Sequence, residues 1–317
     1  MSVSIEQRVR PVVDVANLEV LKKKPRSLWR DAWERLIRNK AAMTGLGVIA
    51  LFYLIAIFAP MLAPYDPNVH HLKYTTLDPF WGKDGRPEFI LGTDSLGQDE
   101  LSRLIYGSRI SMTVGLVPIV FYLSIGGTLG MIAGFTGGRV DNFIMRVADV
   151  FYAFPGIIFI IVMVATFRET LFGRAMSGLA LLFVALAIVG WEGIARLVRG
   201  QVLSLREKEF VEAARCLGAG NRRIMTKHIL PNILAPLIVA LAFAVPGAIM
   251  TEAGLSFIGL GIRPPTASWG SMIQINLSQL QSTPSLVIAP ALCIAIIMLS
   301  FTFLGDGLRD ALDPRMK

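Results

Sequence analysis

The chain has 317 residues, of which 54% are hydrophobic and only 17% charged, with a mean hydropathy of +0.58. A soluble domain of this size carries about a quarter charged residues, so the composition excludes an ordinary water-soluble globule. The net charge of +8 would suit a nucleic-acid binder, but in a membrane protein such an excess follows from orientation.

Segment 1–40 is polar and rich in lysine and arginine, from Arg8 and Arg10 through Lys22, Lys23, Lys24 and Arg26. Its last part, SLWRDAWERLIRNK, places Trp29, Trp33 and Leu36 at helical spacing, with Arg30, Arg35 and Arg38 on other faces. This is the pattern of an amphipathic helix lying in a membrane interface. The first apolar run begins only after this stretch, unlike a cleaved secretory signal.

Six uncharged windows follow, at 41–65, 110–138, 150–167, 175–191, 229–251 and 264–305. Each can supply the roughly 20 apolar residues of a transmembrane helix. The last helix is expected to start near Leu286, after Pro284. Lipid offers the backbone no hydrogen-bond partner, so helices are the expected solution. The predicted fold class is an all-α polytopic membrane protein with six transmembrane helices. Gly115, Gly126, Gly127, Gly130 and Gly134 in the second window suit close helix approach, and Pro155, Pro246 and Pro290 are placed to kink their helices.

Segment 66–109 is too long for a structureless connection. In LGTDSLGQDELSRLIYGSRIS, Asp94 or Ser95 is placed to cap a helix carrying Leu101, Leu104 and Ile105. His70 and His71 are adjacent, so their side chains diverge, and no zinc-like ligand set completes them. Cys216 and Cys293 offer no disulfide framework.

Basic residues recur between the fourth and fifth windows, at Arg196, Arg199, Arg206, Lys208, Arg215, Arg222, Arg223 and Lys227. The loop after the fifth window has Arg263 alone, and 66–109 is mildly acidic. Lysine- and arginine-rich loops stay cytoplasmic, so both termini and the 193–230 loop are expected inside. The predicted division is a cytoplasmic segment 1–40, a first span 41–65, an extracytoplasmic loop 66–109, a five-span core 110–310 and a cytoplasmic tail 311–317. The basic excess then faces membrane lipid, not nucleic acid.

Asp149 lies near Arg146, Glu192 precedes Arg196 by one helical turn, and Glu252 marks the outer end of the fifth window. All three are read as structural groups near interfaces, not as a proton path. Gly82-Lys83 lacks the rest of a phosphate loop, so no nucleotide, cofactor, metal or catalytic site is predicted within the chain.

Residues 202–231, VLSLREKEFVEAARCLGAGNRRIMTKHILP, break the apolar character. Phe210, Ala214 and Leu217 follow helical spacing, as do Val211 and Gly218. Gly218 and Gly220 end that helix, Asn221 is placed to cap a second carrying Ile224 and His228, and Pro231 opens the next span. Ala213, Ala214 and Gly218 leave little bulk, inviting another protein's surface. Anionic headgroups would explain the arginines but not the small residues beside Glu212.

EAARCLGAGNRRIMTKHILP resembles the EAA-x3-G-x9-I-x-LP loop of permease subunits in binding-protein-dependent ABC importers. Glu212, Ala213, Ala214, Gly218, Leu230 and Pro231 match, and His228 replaces the isoleucine. LGTDSLGQDELSRLIYGSRISMTVGL (91–116) and TEAGLSFIGLGIRPPTASWGSMI (251–273) resemble the C-type subunit of the dipeptide/oligopeptide/nickel group. Gln98 stands where that group more often carries arginine.

The resemblance implies a type I ABC importer permease fold with a cytoplasmic coupling helix, in a bacterial or archaeal plasma (inner) membrane. It implies a second homologous permease, two ATPase subunits that bind the ATP, and an extracytoplasmic substrate-binding protein. The ATPase-coupling residues it implies are Glu212, Ala213, Ala214, Arg215, Leu217, Gly218 and Ala219. Peptides are the expected cargo, with nickel complexes or oligosaccharides as alternatives. A self-contained secondary carrier would show internal repeats and buried charges, and an intramembrane enzyme a zinc motif or paired aspartates. The sequence shows neither pattern.

Overall fold

The computed structural model describes residues 28–313; the basic residues before Leu28 and the tail residues 314–317 lie outside it. Ten principal helices occur among the described residues, and no strand. They are α1 (Leu28–Arg38), α2 (Lys40–Ile57), α3 (Glu100–Thr136), α4 (Gly138–Ala153) and α5 (Gly156–Phe167), then α6 (Leu179–Arg206), α7 (Glu209–Cys216), α8 (Asn221–Phe257), α9 (Trp269–Asn276) and α10 (Ser285–Leu312).

Helices α2, α3, α8 and α10 and the stretch Leu171–Arg206 ending in α6 are each long and apolar enough to cross a membrane. The third window does not form the single span 150–167. It forms α4 and α5, bent by 79° about Pro155, and this pair makes a sixth crossing when taken as one span. Phe154 is extended (φ −89°, ψ 136°) because proline disfavours helical backbone in the residue before it. Pro246 and Pro290 instead lie inside helices, as do Pro118 and Pro236. Leucine, isoleucine and phenylalanine side chains such as Leu51, Leu54, Leu292 and Phe303 point outward, as lipid-facing helices require.

The core lies along two seams. In one, α10 packs between α2 and α8. In the other, α6 lies against α3 along Gly126, Gly130 and Gly134. A Cβ on Gly126 or Gly130 would run into the carbonyl oxygens of Trp191 and Ala195, and one on Gly134 would lie 2.8 Å from Val202 Cβ. This four-residue spacing of small residues lets the two backbones touch.

Outside the spans, α1 turns Ala32 and Leu36 onto Ala42 and the end of α10 at Ala311, while Trp29, Trp33 and Ile37 face outward. Leu36 therefore does not share the exposed face of the two tryptophans. Asn39 caps α2 by accepting from the Ala42 amide.

The segment between α2 and α3 is built around Phe89, which is buried among Tyr65, His71 and Tyr74. The cap of α3 is Asp99, not Asp94 or Ser95. Asp94 is already used, because its Oδ1 accepts from the Leu96 and Gln98 amides and closes a turn of its own. Gln98 is buried and accepts from Arg103 Nη1 at 2.5 Å.

Candidate functional site

The 202–231 segment stands at the end of α6. Helix α6 stops at Arg206, the chain turns at Glu207 and Lys208, and α7 runs Glu209–Cys216. Its exit is a Schellman closure: the Ala219 amide donates to Ala214 O (3.0 Å) and the Gly218 amide to Arg215 O (2.9 Å). Gly218 sits at φ +79°, the left-handed region that a side chain disfavours. The glycine is thus demanded by the helix end itself, whatever lies opposite.

Helix α7 has two apolar faces. Val211 and Ala214 are buried in the central cluster with Val202, Ile224 and Ile229, and Ala219 packs against it. Phe210, Ala213 and Leu217, spaced three and four apart, face outward, and Leu217 is 88% exposed. The predicted grouping of Phe210, Ala214 and Leu217 on one face is therefore corrected. Ala214 turns inward onto the permease, and Ala213 takes its place on the exposed stripe. Glu212 and Cys216 are exposed, and Arg215 lies over the Phe135 ring at 5.9 Å.

The predicted second short helix is also corrected. Gly220, not Asn221, holds the cap position, and the chain runs without a break from Asn221 to Phe257. A π-helical stretch at Ile224–Ile229 leads without a break into the α-helical stretch Leu230–Phe257, and Pro231 stands in its first turn, as expected of the residue that opens the span. Proline is tolerated in a first turn because the N–H it lacks is one that the turn leaves unpaired.

Arginines tie the base of α6 to its neighbours. Arg206 Nη1 donates to the carbonyls of Gly134 (3.1 Å) and Phe135 (3.5 Å) at the end of α3. Arg199 binds Asp141 of α4 through Nε and Nη2. Arg196 donates to Asp149 Oδ1 at 3.0 Å and lies over the Tyr152 ring at 4.2 Å. Arg196 also keeps an electrostatic interaction with Glu192 one turn earlier, while the expected partnership of Asp149 with Arg146 gives way to this cross-helix pair. Sequence spacing could not show it, because the two residues are 47 positions apart. Glu252 is fully buried and accepts from Ser256 (2.6 Å) and Ser268 (2.7 Å), so two hydroxyls hold it in place of a cation.

This arrangement can transmit force. A push on the exposed stripe of α7 meets α6 and α8 through Val211 and Ala214, and the arginine ties carry it to α3 and α4.

Comparison with known proteins agrees with this architecture. The chain is 41% identical over 304 residues to the oligopeptide transport system permease protein OppC of Bacillus subtilis, covering 96% of this chain and 95% of that protein. It is 38% identical over 288 residues to the di/tripeptide transport system permease protein DppC of Pseudomonas aeruginosa, covering 91% and 92%. A solved structure of the MetNI methionine ABC transporter in inward-facing conformations shares the fold, with a TM-score of 0.54 at 22% identity over 67% of this chain and 97% of that one. Residues 27–79 match the N-terminal TM domain of oligopeptide transport permease C. Residues 126–317 match the binding-protein-dependent transport system inner membrane component, and with these relatives the chain belongs to that family of ABC importer permeases.

Proposed function

We propose that this chain is the non-catalytic permease subunit of an ATP-driven importer of peptides. It forms half of the translocation path beside a second, homologous permease. Two ATPase subunits bind the ATP, and an extracytoplasmic binding protein delivers the cargo. Both termini and α7 face the cytoplasm of a bacterial or archaeal cell. The observation that carries the cargo is that relatives matching over nearly the whole chain are named for oligopeptides and for di- and tripeptides.

The Phe210–Ala213–Leu217 stripe supports α7 as the ATPase contact, since an apolar row left in water marks an interaction surface. Glu212 and Arg215 flank it and fix the register. Closure of the ATPases on nucleotide biases the bundle between two arrangements through their differential contact with α7.

The test is reconstitution of the chain with its partner permease, ATPases and binding protein in liposomes. ATP-dependent uptake of a labelled tripeptide is expected. Uptake of nickel complexes or oligosaccharides without peptides would reassign the cargo, and uptake by this chain alone would make it a carrier. Leu217→Asp should reduce retention of the ATPases roughly thirtyfold or more, the scale of losing an interface hot spot of about 2 kcal/mol. Unchanged retention and transport would remove α7 from the contact.

A further inference from the structure

A cavity of about 430 Å³ opens where three external segments meet the outer part of α3. Asp66 comes from the first external segment, Tyr106, Arg109 and Thr113 from α3, Met176 from the turn before α6, and Thr266 from the turn before α9. Cavities of roughly 300–1,000 Å³ are the usual size of small-molecule sites.

Its charges are poised but unspent. Arg109 has no hydrogen-bond or ion-pair partner for its guanidinium among the described residues and lies 5.9 Å from the Tyr106 ring. Asp66 accepts from the neighbouring Asn68 amide at 2.8 Å and meets no cation among the described residues. The two line one cavity without pairing with each other. A cavity lined by one anion and one cation, with the Tyr106 hydroxyl also in its wall, fits a zwitterion.

The wall carrying Met176 is built under strain. Met176 (φ 52°, ψ 40°) and Ser177 (φ 59°, ψ 29°) are consecutive non-glycine residues in the left-handed region. Such backbone persists where its surroundings enforce it. Here the Arg263 amide donates to Ser177 O (3.0 Å), and Thr266 Oγ1 donates to Ser177 Oγ (2.9 Å). Arg263 also binds Glu169, which locks the two loops into one rim.

From these observations we propose that the cavity is an extracytoplasmic subsite for the charged termini of a short peptide, with Arg109 taking the carboxylate and Asp66 the ammonium group. The assignment rests on the peptide reading above and adds to it a place in this chain where cargo rests. A zwitterionic lipid headgroup carries the same pair of charges, so the test must separate the two.

The experiment places the complete transporter, without its binding protein, in nanodiscs of phosphatidylglycerol alone. Binding of L-alanyl-L-alanine is read by saturation-transfer NMR. The zwitterion should bind, and the N-acetylated, C-amidated form should not. Arg109→Ala and Asp66→Asn should each weaken binding roughly tenfold, the value of one charge-assisted hydrogen bond. Both residues are exposed, so folding should survive, and ATPase retention checks it. Equal binding of both peptide forms, or no effect of either variant, would overturn the site. Absence of dipeptide binding, with phosphatidylethanolamine retained by the unmodified protein and lost in Arg109→Ala, would reassign the cavity to lipid. Dipeptide uptake in the parallel liposome assay without binding here would remove this site alone, whereas failure of all peptide uptake would remove the peptide reading itself.

Discussion

Arg199 grips Asp141 through two parallel hydrogen bonds, Nε to Oδ1 at 2.5 Å and Nη2 to Oδ2 at 2.6 Å, joining the C-terminal half of α6 to the first turn of α4. This forked pairing is directional as well as strong. Asp141→Asn should leave ATPase binding intact and lower the number of peptides moved per ATP, with a loss of about 1.5–3 kcal/mol at the α4–α6 contact. The readout is the ratio of uptake to hydrolysis in liposomes; an unchanged ratio would show that force does not pass through this pair.

Gly218 separates two explanations of its own presence. If the left-handed turn is what matters, Gly218→Asn should retain more coupling than Gly218→Ala, because asparagine tolerates that backbone better despite its bulk. The alanine variant should cost about 1–2 kcal/mol of local stability. If closeness to the ATPase is what matters, alanine should be the milder change. Stimulated ATP hydrolysis in the reconstituted complex ranks the two.

Topology can be read from a native thiol. Cys216 is exposed on α7, whereas Cys293 lies within α10. A membrane-impermeant maleimide should label Cys216 only when the cytoplasmic face is open. Gln281→Cys, on the exposed turn between α9 and α10, should be labelled from outside. Ser268 is unsuitable as the external probe because it is fully buried as the cap of α9. External labelling of Cys216 would invert the proposed orientation.

Glu169 gives the rim of the external cavity a defined response to acid. Hydrogen bonds from Arg263, and then from Arg174, hold its carboxyl below the ordinary value. The tie is therefore present above the unfolded value of about 4.3 and is lost as pH falls through the lower folded value. Amide exchange across 168–178, corrected for intrinsic rate, should remain slow down to that lower range. In Glu169→Gln the exchange should be faster at neutral pH and flat with acid; a midpoint at or above the ordinary glutamate value would show that the arginines do not hold it.

The spans were legible because lipid imposes long uncharged windows, and a window such as 229–251 leaves few other readings. The third crossing was not fully legible, since Arg139, Asp141, Arg146 and Asp149 make α4 too polar to look like part of a span. The 202–231 loop was recognisable as a motif, but its facing was not. Ala213 and Ala214 are chemically alike, and only the packing of Val211 beside Ala214 decides which turns inward. Caps failed for a related reason: Asp94 and Asp99 are equally good acceptors, and the turn that Asp94 closes chooses between them. The ties of Arg199 and Arg206 carried a weak signal, a line of arginines at the end of an apolar helix, without a hint of the partners.

Along Gly126, Gly130 and Gly134 the backbone of α3 lies directly on α6, with only the Cβ-level atoms of Ile194, Val198 and Val202 at the contact. Helix α6 starts at Leu179, on the wall of the external cavity, and ends at Arg206, beside α7. Its 28 residues span roughly 42 Å at 1.5 Å per residue. Braced against α3 over its inner half, it behaves as a lever arm whose two ends cannot tilt independently. On the proposed contact of α7 with an ATPase, a tilt imposed at one end is expected to reshape the cavity at the other, and by reciprocity an occupant of the cavity to alter how readily the ATPase engages.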